Sequence, residues 1–236
     1  MFPQFIAAKF SVQNKIPFVL TPHGMFEPWL WQKGTLKKKA YFNFLTYKYF
    51  SKAAIVHAIT NQEKLNLKKL LFNDNMIEIP NLIKVSRLDN EVAINKEKYL
   101  FYIGRLDQKK GIDILIKAFI KVNPRDVKLK IAGEFNSYKE ELDKIVKDSS
   151  IKASNIEFLG FVKGKVKDDL IKNAIALVAP SHSEVIGMVN LEAAILKTPV
   201  ITTHQTGLSK FWQDNGGFLI NPNEQELTIS IKKVLN

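Results

Sequence analysis

Two acidic residues stand close together in the stretch PSHSEVIGMVNLEAA, at positions 180–194 of the 236-residue chain. Glu184 and Glu192 follow an apolar run, and a helix is predicted to begin near Gly187, between them. The backbone amides that open such a helix can face an anion. A carboxylate beyond them can accept hydrogen bonds from both hydroxyls of a ribose, so the pattern indicates a sugar-nucleotide site. The alternative is an ordinary strand-to-helix crossover with two solvated glutamates.

Two basic residues follow another apolar run. The stretch GRLDQKKG places Arg105 next to the end of a predicted strand and Lys110 just before a helix that opens at Gly111. Two cations beside a helix N-terminus can hold a diphosphate. The alternative is that both are surface charges at a turn between a strand and a helix.

The elements that position these residues can be read from hydrophobic periodicity. Amphipathic stretches with helical spacing separate short apolar runs from residue 99 onward, which predicts parallel strands covered on both faces. Ligands of such sheets lie beyond the carboxyl ends of the strands, so we expect the acidic and basic stretches to meet there. The runs predicted as strands are 17–21, 53–60, 99–104, 127–133, 156–160, 174–180 and 198–203.

The polar, weakly patterned segment 84–98 marks the predicted boundary between two parts of an α/β chain. We expect a partial N-terminal domain over 1–86, a linker over 87–98 and a nucleotide-binding domain over 99–236. Only two strands are predicted before the linker, too few for an independent α/β domain. Either this piece docks on the larger one, or the chain lacks material that preceded it.

The formal net charge of +12 comes almost entirely from lysine. Arginine occurs only at positions 87, 105 and 125, and its scarcity argues against sequence-specific nucleic-acid binding. The excess indicates either attraction to an anionic ligand or surface, or simply a genome's codon bias. The chain has no cysteine, no run of ~18 apolar residues and no signal-peptide pattern at its start, which favours a cytoplasmic protein.

Taken together, GRLDQKKG and PSHSEVIGMVNLEAAILKTPVITT resemble the retaining glycosyltransferases of family 4. The resemblance continues, in the family's order, through TPHGMFEPW, AITNQEKLNL, IPNLIKV, FLGFV, HQTGLSKF and NGGFLINP. It implies the GT-B fold, with a Rossmann-like C-terminal domain and here a partial Rossmann-like N-terminal one. It also implies transfer of a sugar, with retention, from a nucleotide-diphosphate-sugar donor. No cofactor or metal is expected, and the sequence contains no Asp-x-Asp motif.

The resemblance assigns a role to each candidate residue. Arg105 and Lys110 would bind the donor diphosphate and stabilise the charge that develops on the leaving nucleotide. Glu192 would hold the ribose and Glu184 the donor sugar. For His23, expected to reach the sugar from the N-terminal side, the alternative is a histidine that structures a turn. The remaining donor contacts are the backbone at Gly187, Met188 and Val189, and the border of the base at Phe161 and Val162.

The sequence departs from the family pattern in three places. Val185 and Ile186 stand where the family often has glycine and an aromatic residue, and Asn81 lacks the glycine and aspartate that commonly follow it. The chain also resembles a family member without the start of its N-terminal domain and without its final C-terminal helix. Two interpretations therefore stand: a transferase that is active or completed by a partner, and an inactive nucleotide-binding fragment.

Aromatic residues and lysines alternate through 26–54. This mixture suits a helix lying on an anionic membrane surface, at ~1 kcal/mol per basic residue. The alternative is that the aromatic side chains fill the N-terminal core while the lysines are solvated. With membrane contact, the expected protein is peripheral on the inner membrane face, and its acceptor is a lipid-linked or surface-polysaccharide glycan.

Overall fold

A computed structural model describes residues 2–31, 34–83, 97–149 and 155–236. The chain divides into two units, Met1–Leu82 and Ile83–Asn236. The predicted linker, 87–98, lies outside the described residues apart from its last two positions. Of these, Lys98 is already the first residue of a strand.

Unit 1 contains a parallel sheet in the order β1-β2-β3 within the described residues. The sequence predicts only two strands here, and the third was missed because it has three residues, two of them exposed. The strands are β1 (Val19–Leu20), β2 (Ile55–Ala58) and β3 (Met76–Glu78). The helices are α1 (Phe2–Gln13), α2 (Thr35–Tyr41), α3 (Tyr47–Phe50) and α4 (Asn61–Lys68), with a 3-10 turn at Pro28–Trp31 and a π-helical turn at Phe42–Thr46.

The large apolar side chains of 26–54 divide between core and surface. Phe26, Phe42 and Phe50 are buried, and the Phe26 ring packs edge-on against Phe42, with 5.4 Å between ring centroids. Leu36 and Phe44 instead remain 86% and 84% exposed. Part of this segment therefore fills the core, as one interpretation expects, and part of it presents apolar side chains to solvent.

Unit 2 contains a parallel sheet in the order β6-β5-β4-β7-β8-β9 over the described ranges. No described helix combines the length and hydropathy that a membrane span requires. The strands are β4 (Lys98–Ile103), β5 (Val127–Ala132), β6 (Ile156–Gly160), β7 (Ala176–Ala179), β8 (Val200–Thr203) and β9 (Phe218–Ile220). The helices are α5 (Ile112–Val122), α6 (Ser137–Lys147), α7 (Gly164–Lys172), α8 (Met188–Ile195), α9 (Ser209–Asp214) and α10 (Glu224–Leu235).

Both faces of this sheet are covered, as the sequence predicts. Side chains alternate along a strand, and in β4 Leu100 and Tyr102 join one buried apolar cluster while Tyr99 and Phe101 join another. Burial on both faces explains why the central strands read as continuous apolar runs rather than as alternating patterns.

Candidate functional site

The sheet of unit 2 reverses its strand order between β4 and β7. From β4 the chain adds β5 and β6 on one side, then returns to place β7, β8 and β9 on the other. The loops that follow β4 and β7 therefore emerge side by side at the carboxyl edge, where doubly wound sheets bind ligands. These loops carry the basic stretch and the first glutamate of the acidic stretch, so the expected juxtaposition of the two is confirmed.

Lys110 and Glu184 form an ion pair across the two loops. About a fifth of the lysine side chain and a quarter of the glutamate side chain are exposed (20% and 24%), so the pair is accessible from solvent. A backbone hydrogen bond of 2.8 Å from the His182 amide to the Lys109 carbonyl oxygen joins the same loops. The cation and the carboxylate that the sequence predicts for one site are thus in direct contact.

Gly111 allows these loops to approach so closely. Its φ is +66°, and a Cβ at this position would lie 2.3 Å from the carbonyl oxygen of Pro180. A glycine has neither the steric conflict nor the strain that a side chain would meet in this left-handed conformation. The residue at the start of α5 therefore sets the spacing between Lys110 and the loop that holds Glu184.

A third loop fixes the backbone of Glu184. Its amide donates to the carbonyl oxygen of Gln205 at 3.1 Å, and its own carbonyl accepts from the Gly207 amide at 3.1 Å. Val185 and Ile186, which depart from the family pattern, are buried. Gly187 then turns the chain with φ +70° and α8 begins at Met188, so the helix starts where the sequence predicts.

Glu192 lies in the second turn of α8 and has a partner that the sequence pattern does not predict. Its carboxylate is 2.9 Å from the ammonium nitrogen of Lys167, on α7. About a third (30%) of its side chain is exposed. The two glutamates therefore have different lysine partners, and no sequence signal identifies Lys167 because it depends on how two helices pack.

Arg105 is exposed and leaves β4 toward the same edge. The buried Tyr102 hydroxyl donates to the Arg105 carbonyl oxygen at 2.9 Å. Burial, and then the negative charge of Glu184, raise the pKa of Tyr102 far above its ordinary value, so this donor stays protonated. Within the described part of the chain the Arg105 guanidinium forms no ion pair, which leaves it available to an anionic ligand.

Phe161 and Val162, predicted to border a nucleotide base, directly follow β6. Phe161 is 70% exposed, whereas Val162 packs partly buried against the apolar cluster of the sheet. Strands β4, β5 and β6 run parallel in one sheet. Phe161, which follows β6, therefore lies at the same carboxyl edge as Arg105, which follows β4.

His23 lies in unit 1, and its predicted role stays a prediction. It is exposed, with a φ of +49°, and follows β1. The neighbouring Gly24 amide donates at 2.6 Å to the buried carboxylate of Glu63, which also accepts from the Ile59 amide at 2.9 Å. A capping-box pattern, Thr60-x-x-Glu63, was the sequence signal for this missed anchor.

Comparison with known proteins adds to this geometry. The model of the family described as glycosyl transferases group 1 matches residues 85–236. An uncharacterised glycosyltransferase of Methanocaldococcus jannaschii is 28% identical over 240 residues, which cover all of this chain and 63% of that protein. The chain therefore spans less than two thirds of this relative's length.

Solved structures show a similar fold. TarM of S. aureus superposes with a TM-score of 0.68 and 26% identity, over 80% of this chain and 38% of that one. Anabaena HepE in complex with UDP-glucose superposes with a TM-score of 0.80 and 20% identity, over 98% of this chain and 66% of that one. The fold class is thus α/β of the GT-B type. Because the family model matches more than half of its residues, the chain belongs to the glycosyl transferases group 1 family.

Proposed function

We propose that the chain is a glycosyltransferase that moves a sugar from a nucleotide-diphosphate-sugar donor to an acceptor glycan, with retention and without metal or cofactor, as family 4 enzymes do. The observation that carries the proposal is the Lys110–Glu184 pair at the point where the strand order reverses. Support comes from family membership and from HepE, a structure of similar fold that was solved with UDP-glucose.

In this proposal, the C-terminal domain (99–236) binds the donor, and the partial N-terminal domain (1–86) contributes to acceptor binding. Arg105 and Lys110 bind the diphosphate and offset the negative charge that develops on the leaving nucleotide. Glu184, already in contact with Lys110, accepts hydrogen bonds from hydroxyls of the donor sugar. Glu192 accepts hydrogen bonds from the ribose hydroxyls, and the ion pair with Lys167 orients its carboxylate.

Substitution of the donor-binding side chains tests this assignment. We expect Arg105→Ala and Glu192→Ala each to weaken the binding of UDP, GDP or ADP about ten-fold, the loss typical of a charged hydrogen bond. Isothermal titration calorimetry measures the affinities. Arg105 is exposed and Glu192 is partly exposed, so their removal leaves the melting temperature close to that of the unmodified chain.

Arg125→Ala is the matched control, because this exposed arginine lies between α5 and β5, at the opposite end of the strands. It should leave nucleotide affinity unchanged. Unchanged affinity in both test variants would overturn the site assignment, as would an equal loss in the control.

A second candidate function is nucleotide binding without turnover, because the paired lysines and glutamates of the candidate donor site all lie in unit 2. Incubation of the purified chain with nucleotide-sugar donors separates the two functions. Release of the nucleoside diphosphate, by hydrolysis or transfer, supports the enzyme, whereas binding without any release supports nucleotide binding alone.

For the acceptor, we propose a lipid-linked or surface-polysaccharide glycan that a cytoplasmic, membrane-peripheral protein reaches through 26–54. The exposed side chains of Leu36 and Phe44 support this proposal, since they flank the lysines at positions 37, 38 and 39. Apolar residues beside lysines are the combination that binds an anionic lipid interface.

A further inference from the structure

Two exposed phenylalanines stand at neighbouring strand ends of unit 2. Phe135 follows β5 and is 55% exposed, and Phe161 follows β6 and is 70% exposed. The two strands are parallel neighbours, so both side chains emerge at the carboxyl edge that also carries Arg105. Phe161 was expected near a nucleotide base from family resemblance, but nothing in that resemblance assigns a role to Phe135.

The loop that carries Phe135 is anchored at both ends. Before it, the Gly133 amide donates to the Gly160 carbonyl oxygen at 2.8 Å. After it, the Asn136 side-chain amide donates to the Leu106 carbonyl oxygen at 2.7 Å, while its oxygen caps α6 by accepting from the Tyr138 amide at 3.1 Å. Since Leu106 directly follows Arg105, one hydrogen bond links the loop of the exposed ring to the loop of the diphosphate-binding arginine.

The ring itself has defined neighbours. Its Cζ atom would be 3.8 Å from a Cβ placed on Gly160, so the ring tip lies beside the glycine that ends β6. The Lys139 ammonium lies 5.2 Å from the ring centroid and is held by Asp143 at 2.7 Å. More than half of Phe135 nevertheless faces solvent, in a loop whose position is fixed. An apolar surface held in this way can be covered by a ligand without loop rearrangement.

We propose that Phe135, together with Phe161, forms the platform on which the planar base of the donor nucleotide stacks. The inference rests on the proposed function and names a further binding residue for its donor site. Aromatic side chains stack with any base, because every base has a π-face. The Asn136–Leu106 hydrogen bond fixes the spacing between the base and the diphosphate at Arg105.

Calorimetry with two probes tests the proposal. Phe135→Ala should weaken the binding of UDP, GDP or ADP about ten-fold, the loss typical of one stacking contact. Binding of inorganic pyrophosphate, which has no base, should stay unchanged. Phe135→Tyr keeps an aromatic face and should retain nucleotide affinity. Phe72→Ala is the control, since Phe72 is a similarly exposed (77%) phenylalanine in unit 1.

Each other outcome has a definite meaning. Unchanged nucleotide affinity in Phe135→Ala overturns the platform, and equal weakening of nucleotide and pyrophosphate binding overturns it in favour of a purely structural loop. If the unmodified chain binds none of the three nucleotides, the proposed function itself fails. That result is distinct from a failure confined to Phe135.

Discussion

Gly111 shows how one residue can determine the geometry of the candidate site. Its conformation lies in the left-handed region, and its missing side chain leaves room for the Pro180 carbonyl oxygen. The obstacle that a larger residue would meet is backbone at the end of β7, not the flexible end of a side chain. Relief would require the loop after β7 to move, and Glu184 with it.

We predict that Gly111→Ala destabilises the chain by about 3 kcal/mol, the sum of left-handed strain and a backbone clash. Gly164→Ala is the matched control. Gly164 has a similar φ of +58°, but no atom lies within 4 Å of the position that its Cβ would take, so strain alone should cost about 1 kcal/mol. Urea denaturation measures both free energies of unfolding. Equal losses in the two variants would show that the contact with Pro180 does not constrain the loops.

Helix α4 illustrates how a helix start can position a loop that is distant in sequence. Thr60 caps the helix by accepting from the Glu63 amide at 3.1 Å. Glu63 is only 2% exposed. One oxygen of its carboxylate accepts from the Gly24 amide and the other from the Ile59 amide. Glu63, in the first turn of the helix, thereby fixes the turn that carries His23.

We expect Glu63→Ala to destabilise the chain by about 3 kcal/mol, because it leaves two buried amide donors without acceptors. Glu78→Ala is the control, since Glu78 is exposed on β3, and its effect should stay within about 0.5 kcal/mol. Chemical denaturation followed by circular dichroism gives both values. A loss in Glu63→Ala no larger than in the control would mean that water satisfies the two amides.

The strands of unit 2 show what local sequence can predict. Buried runs such as β4 and β5 were located to within one residue, because two covered faces demand continuous apolar sequence. The three-residue β9 was missed because so short a run carries little periodicity. At the candidate site, the sequence predicts that Lys110 and Glu184 meet, because each follows the end of a parallel strand. The Lys167–Glu192 pair and the anchored Phe135 loop depend on packing between elements, which no local pattern encodes.

Part of the basic excess of the protein lies beside exposed apolar side chains in unit 1. A net charge of +12 alone predicts weak, salt-sensitive attraction to any polyanion. On α2, however, the lysines at 37, 38 and 39 are exposed beside Leu36, and the following π-helical turn exposes Phe44. Electrostatic attraction and apolar insertion would act on the same short segment, which is what distinguishes a membrane surface from a soluble polyanion.

We therefore predict that the chain co-sediments with vesicles of phosphatidylglycerol and phosphatidylcholine but not with phosphatidylcholine alone, and that raised salt weakens the association. The double substitution Leu36→Ser and Phe44→Ser should weaken it about ten-fold or more, since both inserted side chains are lost while every lysine remains. Phe72→Ser, at a 77% exposed position outside this segment, should have no effect. Equal binding by the unmodified chain, the double variant and Phe72→Ser would show that charge alone drives the association. It would also remove the support for an acceptor that is reached from the lipid surface.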